Sequence, residues 1–146
     1  MIERRITHDR ITLRLPMPMG ALSVWRALTG PEHIARWWGE QVRLQPRLGG
    51  RFSERWYREG RDKLTIGSVV AWEPPTEFAM SWSDDDWPAA TELRVTLRDA
   101  ETGSVMTLSH AGWRRLPAND RERLIAEHAE GWSRHLGALA RYLSGN

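Results

Sequence analysis

Cysteine is absent from the 146 residues, which excludes a disulfide framework and a thiolate metal site. No apolar run approaches the ~18 residues that a membrane-spanning helix needs, and no block of like charge is longer than Asp84-Asp85-Asp86. Basic and acidic residues nearly balance, 21 against 19, so the net charge of +2 does not indicate a nucleic-acid partner. We therefore expect neither membrane insertion nor nucleic-acid binding.

The amino-terminal residues lack the pattern of a targeting segment. The first ten, MIERRITHDR, are charged and are followed by no apolar core, unlike a secretory signal. The expected location is therefore the cytoplasm. A chain of 146 residues is also predicted to form a single domain, residues 1–146, that buries about two thirds of the surface its unfolded form exposes.

Sequence motifs for catalysis and cofactor binding are missing as well. There is no His-Glu-x-x-His, phosphate-binding glycine loop, Gly-x-Ser-x-Gly or dinucleotide fingerprint. His128 and His135 are separated by about 10 Å of helix rise, too far for one metal ion to bind both. Lys63 and the acidic run at residues 84–86 are interpreted as solvated turn residues. We expect no metal and no cofactor.

Alternation of apolar and polar residues predicts strands over about residues 5–15 and through residues 41–112. Proline, glycine and charged turns divide these stretches into seven strands, and short connections make neighbouring strands antiparallel. Between the first and second strands, the apolar spacing predicts two short helices, the second beginning at Pro31 and closed by Gly39. Gly67 and Ser68 predict a bulge or sharp bend inside one strand.

The last stretch, residues 119–143, has the spacing of a long amphipathic helix. Asn119 and Glu122 have the spacing of a capping box. Gly131 disfavours helix, and we expect a close approach of the sheet to be the reason. Because a long antiparallel sheet must curl, this helix is predicted to cover its concave face, with room for a cavity where the two separate. The apolar residues of the helix are Ile125, Ala129, Trp132, Leu136, Leu139 and Leu143.

Short motifs in a fixed order resemble those of a known superfamily. They are Val24-Trp25-Arg26-Ala27-Leu28-Thr29, Pro31, Trp37-Trp38, Gly49-Gly50-x-Phe52, Gly67 to Pro74, Trp82, Leu108-x-His110-x-Gly112-Trp113, Gly131-Trp132 and Leu143. Over nearly its whole length the chain resembles the helix-grip (START-like, birch-pollen-allergen-like, SRPBCC) superfamily, especially the stand-alone homologues of the heat-shock-protein ATPase activator. The resemblance implies an α+β helix-grip fold, a curved seven-stranded antiparallel sheet wrapped around a long C-terminal helix. The superfamily's range of activities leaves the function open.

Nine tryptophans, against two Phe and two Tyr, supply most of the aromatic surface. Each buried indole needs a partner for its N–H, which a ligand or water in a cavity can provide; the alternative is a filled core. His110 is in phase with Leu108 along its strand, so its side chain is predicted to point to the buried face. Three roles are open for it: a general base, a ligand anchor, or a core histidine bonded to a carbonyl or water. The predicted ligand-binding residues are Trp38, Phe52, Trp56, Trp82, Leu108, His110, His128 and Trp132.

Three functions remain open at this point. The first is binding of a small hydrophobic or aromatic molecule between sheet and helix, without a cofactor. The second is a cyclase or hydrolase of the polyketide type, using His110 with a nearby acid or Tyr57. The third is a chaperone-interacting module of the heat-shock stress response, for which exposed Trp87 and Trp113 are the candidate contacts. A monomer or a homodimer is expected in each case.

Overall fold

The computed structural model describes residues 2–145 as an α+β fold, with one long helix against an open antiparallel sheet. The eight strands follow the spatial order β1-β2-β8-β7-β6-β5-β4-β3. This is the helix-grip fold. The elements are β1 Glu3–Ile6, β2 Arg10–Met17, α1 Ala21–Thr29, α2 Pro31–Trp37, β3 Val42–Leu44, β4 Arg51–Arg58, β5 Arg61–Glu73, β6 Glu77–Asp84, β7 Thr91–Asp99, β8 Ser104–Ala111 and α3 Ala118–Leu143.

The sheet has eight strands rather than seven, because the single strand expected over residues 5–15 is a hairpin. The Thr7 hydroxyl oxygen accepts hydrogen bonds from the backbone N–H groups of Asp9 and Arg10, which fold the chain back between β1 and β2. Such a side-chain-stabilised turn replaces the strand ladder locally. All of β1 is exposed, so it carries no burial pattern that could reveal it.

Alternate residues of the strands form the concave face, which α3 covers. Leu13 of β2 lies opposite Leu108 of β8, and both are fully buried. The helix contributes Trp132, Leu136 and Leu139 to the same core. No helix within residues 2–145 is both long enough and apolar enough to cross a membrane.

The bend expected in β5 occurs slightly further along the strand. The register of β5 against β6 shifts between Val69 and Ala71, two residues after the Gly67-Ser68 pair. Gly67 itself allows a close approach of the two strands, because a Cβ there would overlap the Ser81 carbonyl oxygen. Such irregularities generally bend a strand and increase its local twist.

The start of α3 differs from the capping box expected at Asn119 and Glu122. The helix begins at Ala118, with Pro117 as its N-cap residue and no side-chain cap. Asn119 is therefore already inside the first turn. The preceding segment is instead held by the Arg121 guanidinium, which donates to the carbonyl oxygens of Trp113, Arg114 and Leu116. These bonds satisfy carbonyl groups of the turn that leads into the helix.

Gly131 does not mark a close approach of sheet to helix, contrary to the sequence-based expectation. A Cβ built at Gly131 would meet no atom within 4 Å, so there is open space in front of this residue. The missing side chain leaves a gap in the inner face of α3, beside Trp132.

Candidate functional site

A cleft of about 850 Å³ opens where α3 separates from the β4–β6 part of the sheet. Trp56, Thr65 and Trp82 form part of the sheet wall, and His128 and Gly131 form part of the helix wall. Charged side chains surround them at the rim. The cleft therefore has aromatic inner walls and a polar mouth, whereas a site for a small hydrophobic molecule is expected to have mostly apolar walls. Its rim and upper wall include Arg58, Glu59, Arg61, Asp86, Asp120, Arg123, Glu127 and Arg134.

Half of the predicted ligand-binding residues line this cleft, namely Trp56, Trp82, His128 and Trp132. Trp38, Phe52 and Leu108 instead surround a void of about 20 Å³ inside the packed core. Phe52 stacks on Trp82, with 5.2 Å between ring centroids, so these aromatic rings separate core from cleft. The groove expected from the sequence is divided into a filled inner part and an open outer part.

His110 lines neither space, since it is fully buried behind Trp82 and Trp132. The Trp132 indole N–H donates to its Nδ1 at 3.0 Å. Because an indole can only donate, Nε2 carries the imidazole proton and donates to the Thr91 hydroxyl oxygen at 2.7 Å. That hydroxyl donates in turn to the Trp82 carbonyl oxygen at 2.8 Å. Burial, followed by the nearby His128, lowers the pKa of His110 well below its usual value.

Both ring nitrogens of His110 are thus occupied, and its partners are a hydroxyl and an indole rather than the carbonyl or water expected. Tyr57, the other candidate for an enzyme of this type, is 69% exposed. The geometry therefore brings no substrate-accessible base and phenol together around His110. The chain of hydrogen bonds ties β7, β8 and α3 to one another.

Thr91→Val is expected to lower the free energy of unfolding by about 1–3 kcal/mol, because it leaves the His110 N–H buried without an acceptor. Thr96→Val is the matched control on the same strand, since Thr96 is only partly buried and should stay within about 0.5 kcal/mol of the parent. Urea unfolding measures both. Equal effects of the two substitutions would contradict a stabilising role for this hydrogen-bond chain.

His128 and His135 add two neutral imidazoles to the helix wall. The Trp82 indole N–H donates to His128 Nε2 at 3.3 Å, and His128 Nδ1–H donates to the Leu124 carbonyl oxygen at 2.8 Å. Burial lowers the pKa of His128 to about 4. Burial and then the charge of Arg134 lower the pKa of His135 to about 4. Both side chains are therefore uncharged at neutral pH.

Asp84 and Lys63 lie in the sheet wall of the cleft and are not the solvated residues that the sequence indicated. Asp84 is only 7% exposed, and the Lys63 side chain is 13% exposed and pairs with Asp85 and Asp86. The Thr65 hydroxyl donates to Asp84 Oδ1 at 2.7 Å and accepts from the Trp56 indole N–H at 2.9 Å. Burial is the main cause that raises the pKa of Asp84.

Glu54 is a second carboxyl group in the same wall. It is partly buried, and Gln41 Nε2 donates to its Oε2 at 3.3 Å. Burial raises its pKa, and the Gln41 and Trp38 side chains partly offset that effect. The Trp38 N–H is the one buried side-chain polar atom within residues 2–145 without a hydrogen-bond partner, and it lies beside this carboxyl.

Glu54 and Asp84 were not among the predicted site residues, although the alternation of residues along their strands indicates that they face the cleft. Glu54 lies between Phe52 and Trp56 on the same face of β4, and Asp84 follows Trp82 on the same face of β6. Successive residues of a strand alternate between its faces, so these acids share the inward face with the aromatic residues.

Comparisons with solved structures agree with the fold. A Rhodobacter sphaeroides protein is 20% identical, with a TM-score of 0.78 and 99% of each chain covered. CalU16 from Micromonospora echinospora is 26% identical, with a TM-score of 0.74, over 99% of this chain and 83% of that one. The Aha1 dimer from Colwellia psychrerythraea is 18% identical, with a TM-score of 0.74, over 92% and 95% of the two chains.

No curated protein sequence matches the chain. A family model does match it, over residues 21–144, which include both short helices, the strands from β3 to β8 and all of α3. That region contains every residue of the cleft described above. The chain therefore belongs to the family described as Activator of Hsp90 ATPase homolog 1-like protein.

Proposed function

We propose that the protein binds a small molecule with a flat apolar or aromatic body in the cleft between α3 and the sheet. The observation that carries this proposal is a space of about 850 Å³ beside the indoles of Trp56, Trp82 and Trp132. Ligand sites generally have about 300–1,000 Å³ and combine apolar walls with a few polar groups. Here Thr65, His128 and the two carboxyl groups provide the polar groups.

The other two functions receive less support from the arrangement of residues. A cyclase or hydrolase that uses His110 would need this imidazole in the cleft, but it is buried behind the aromatic wall. For a chaperone-interacting module, the expectation of an exposed Trp113 is wrong, because its side chain is 0% exposed. Trp87 is partly buried and packs against Trp113, with 5.7 Å between ring centroids. Chaperone binding and the monomer or homodimer state stay predictions.

The cleft can be tested with 2-naphthylmethanol, a neutral probe with a flat aromatic body. Titration should shift the indole N–H signals of Trp56, Trp82 and Trp132 in a nitrogen–proton correlation spectrum. Trp25 and Trp72 pack against each other at the opposite end of β5, with 5.0 Å between centroids, and their signals should not move. A shift of the Trp25 or Trp72 signals would indicate that the probe binds outside the cleft.

Gly131→Leu is expected to weaken binding of this probe about tenfold or more, equivalent to about 1.4 kcal/mol. A leucine would project into the cleft, where a Cβ at residue 131 meets no atom within 4 Å. Gly137→Leu is the matched control, because Gly137 is in the same helix but does not line the cleft. Equal binding by both variants, or no shift of the three cleft indoles, would contradict the proposed function.

A further inference from the structure

We propose that the ligand of this cleft carries a protonated amine, which binds between the carboxylates of Glu54 and Asp84. This inference rests on the proposed function and specifies the chemical class of the ligand. The two carboxyl groups come from β4 and β6, on either side of Thr65 in the strand between them. A cation on an aromatic body would meet both acids and the neighbouring indoles together.

The strand register places these residues in one row across the sheet. Glu54 lies opposite Thr65, and Thr65 lies opposite Asp84. Neighbouring strands are about 4.8 Å apart, so the two acids are separated by about 10 Å of backbone, with their side chains on the cleft side. All three residues line the cleft. The proposed cationic group lies on the cleft side of Thr65, between the two carboxylates.

Neither carboxylate forms an ion pair within residues 2–145. Among the described residues, the one hydrogen bond that the Asp84 carboxylate accepts comes from Thr65 and goes to Oδ1, which leaves Oδ2 without a donor. The hydrogen bond to Glu54 comes from the neutral Gln41 and goes to Oε2. Asp84 is more than nine-tenths buried. A buried carboxylate without a cationic partner is destabilising, and a cationic ligand would remove that penalty.

The basic side chains around the cleft do not supply the missing charge. Arg58 pairs with Glu127, and Lys63 pairs with Asp85 and Asp86. Lys63 acts on Asp84, and Arg134 on Glu54, only through space. On the helix wall the low pKa values of the two histidines keep them neutral. Arg61 and Arg134 also line the cleft, and neither forms an ion pair with Glu54 or Asp84 within the described residues. The negative charge is therefore local to the row of Glu54 and Asp84, where it favours a cation over an anion.

The aromatic residues beside the row favour the same ligand class. Trp56 and Trp82 line the cleft next to the two acids, one on each of the same strands. Indoles bind flat apolar groups and also attract cations to their ring faces. An anionic ligand of the same shape would be repelled by the carboxylates, and a neutral one would leave them unpaired.

Three probes that share a naphthalene body test the charge requirement: 2-naphthylmethylamine, 2-naphthylmethanol and 2-naphthoate. At neutral pH the first is a cation, the second neutral and the third an anion. The amine should bind about tenfold tighter than the alcohol, and the carboxylate should bind weakest. Calorimetric titration of the full chain gives the three dissociation constants.

Asp84→Asn and Glu54→Gln should each weaken amine binding about tenfold and bring the ratio of amine to alcohol affinity from about ten to near one. Both substitutions keep the shape and a hydrogen-bond acceptor. Asp62→Asn is the matched control, because it removes the same charge from an exposed residue outside the cleft and should change neither constant. Circular dichroism confirms that each variant is folded. Because the two acid substitutions are independent, the test can still be made if one of the variants does not fold.

The outcomes separate this inference from the proposed function. Suppose that the alcohol binds and that Gly131→Leu weakens its binding. If the amine then binds no tighter than the alcohol, or if neither acid substitution changes its affinity, the inference is overturned while the proposed function stands. If no probe shifts the cleft indoles, the proposed function fails and the inference fails with it. Selective loss of amine affinity in Asp84→Asn and Glu54→Gln, but not in Asp62→Asn, supports the inference.

Discussion

A chain shortened to end at Pro117 is expected to be unfolded or aggregated. It would lack α3, which covers the concave face of the sheet with six buried residues: Leu124, Ile125, Ala129, Trp132, Leu136 and Leu139. Each large apolar side chain among them contributes about 1.5–3 kcal/mol on burial. Together they are comparable to the ~5–15 kcal/mol by which domains of this kind are stable. Circular dichroism and thermal unfolding would show the loss of a cooperative transition.

The matched control is a chain that ends at Leu143. It loses residues 144–146, of which Ser144 caps the helix through its bonds to Ala140 and is exposed. We expect its melting temperature to change by only a few degrees, since a surface change of this kind is worth about 0.5 kcal/mol. A cooperative transition near the full-length temperature in the chain ending at Pro117 would show that the helix is not needed to cover the sheet.

The strands could be predicted from the sequence wherever they are buried on one face. Along β2 and β8, buried and less buried residues alternate strictly, as in the Leu13 and Leu108 neighbourhoods. The strand β1 could not be found in this way, because all its residues are exposed and only the Thr7 turn separates it from β2. The predicted start of α3 was also wrong. The segment before the helix is held by hydrogen bonds from Arg121 to carbonyl groups seven and eight residues away, which no capping motif indicates.

For the site, periodicity identifies the face of a strand but not its distance from the covering helix. Phe52, Glu54 and Trp56 lie on one face of β4, yet Phe52 is in the packed core and the other two line the cleft. The distance between α3 and the sheet decides whether a residue on this face lies in the core or lines the cleft. That distance depends on packing between residues far apart in the sequence. The bond between His110 and Trp132 joins residues 22 positions apart, so no local pattern could reveal it.

Acid is expected to destabilise the protein well above the pH at which most carboxylates titrate. Folding lowers the pKa of His128 and His135 from 6.5 to about 4 and that of His110 well below 6.5. Below pH 6.5 the unfolded chain therefore binds protons that the native state does not. The free energy of unfolding should fall by about 1.4 kcal/mol per pH unit for each such histidine, and stay flat above that pH.

The carboxyl groups of the cleft act in the opposite direction. The pKa values of Glu54 and Asp84 are raised by burial, so the native state binds protons more readily than the unfolded chain as the pH falls through those values. Their protonation stabilises the native state, so it offsets part of the destabilisation that the histidines cause below pH 6.5. Glu127 and Asp86 have lowered pKa values, so their stabilisation is lost in stronger acid.

His135→Gln should make stability less sensitive to pH, because it removes one neutral imidazole from the cleft. Between pH ~7.5 and pH ~5, we expect its unfolding free energy to fall by about 1–2 kcal/mol less than that of the parent, after allowance for partial solvent screening. Urea unfolding at the two pH values measures this difference even if the substitution changes stability at both. His8→Gln alters an exposed histidine and serves as the control. The contradicting result is that His135→Gln loses as much stability in acid as His8→Gln and the parent do. The imidazole of His135 would then titrate alike in the folded and unfolded chains. Its assignment as a neutral group of the cleft wall would be wrong.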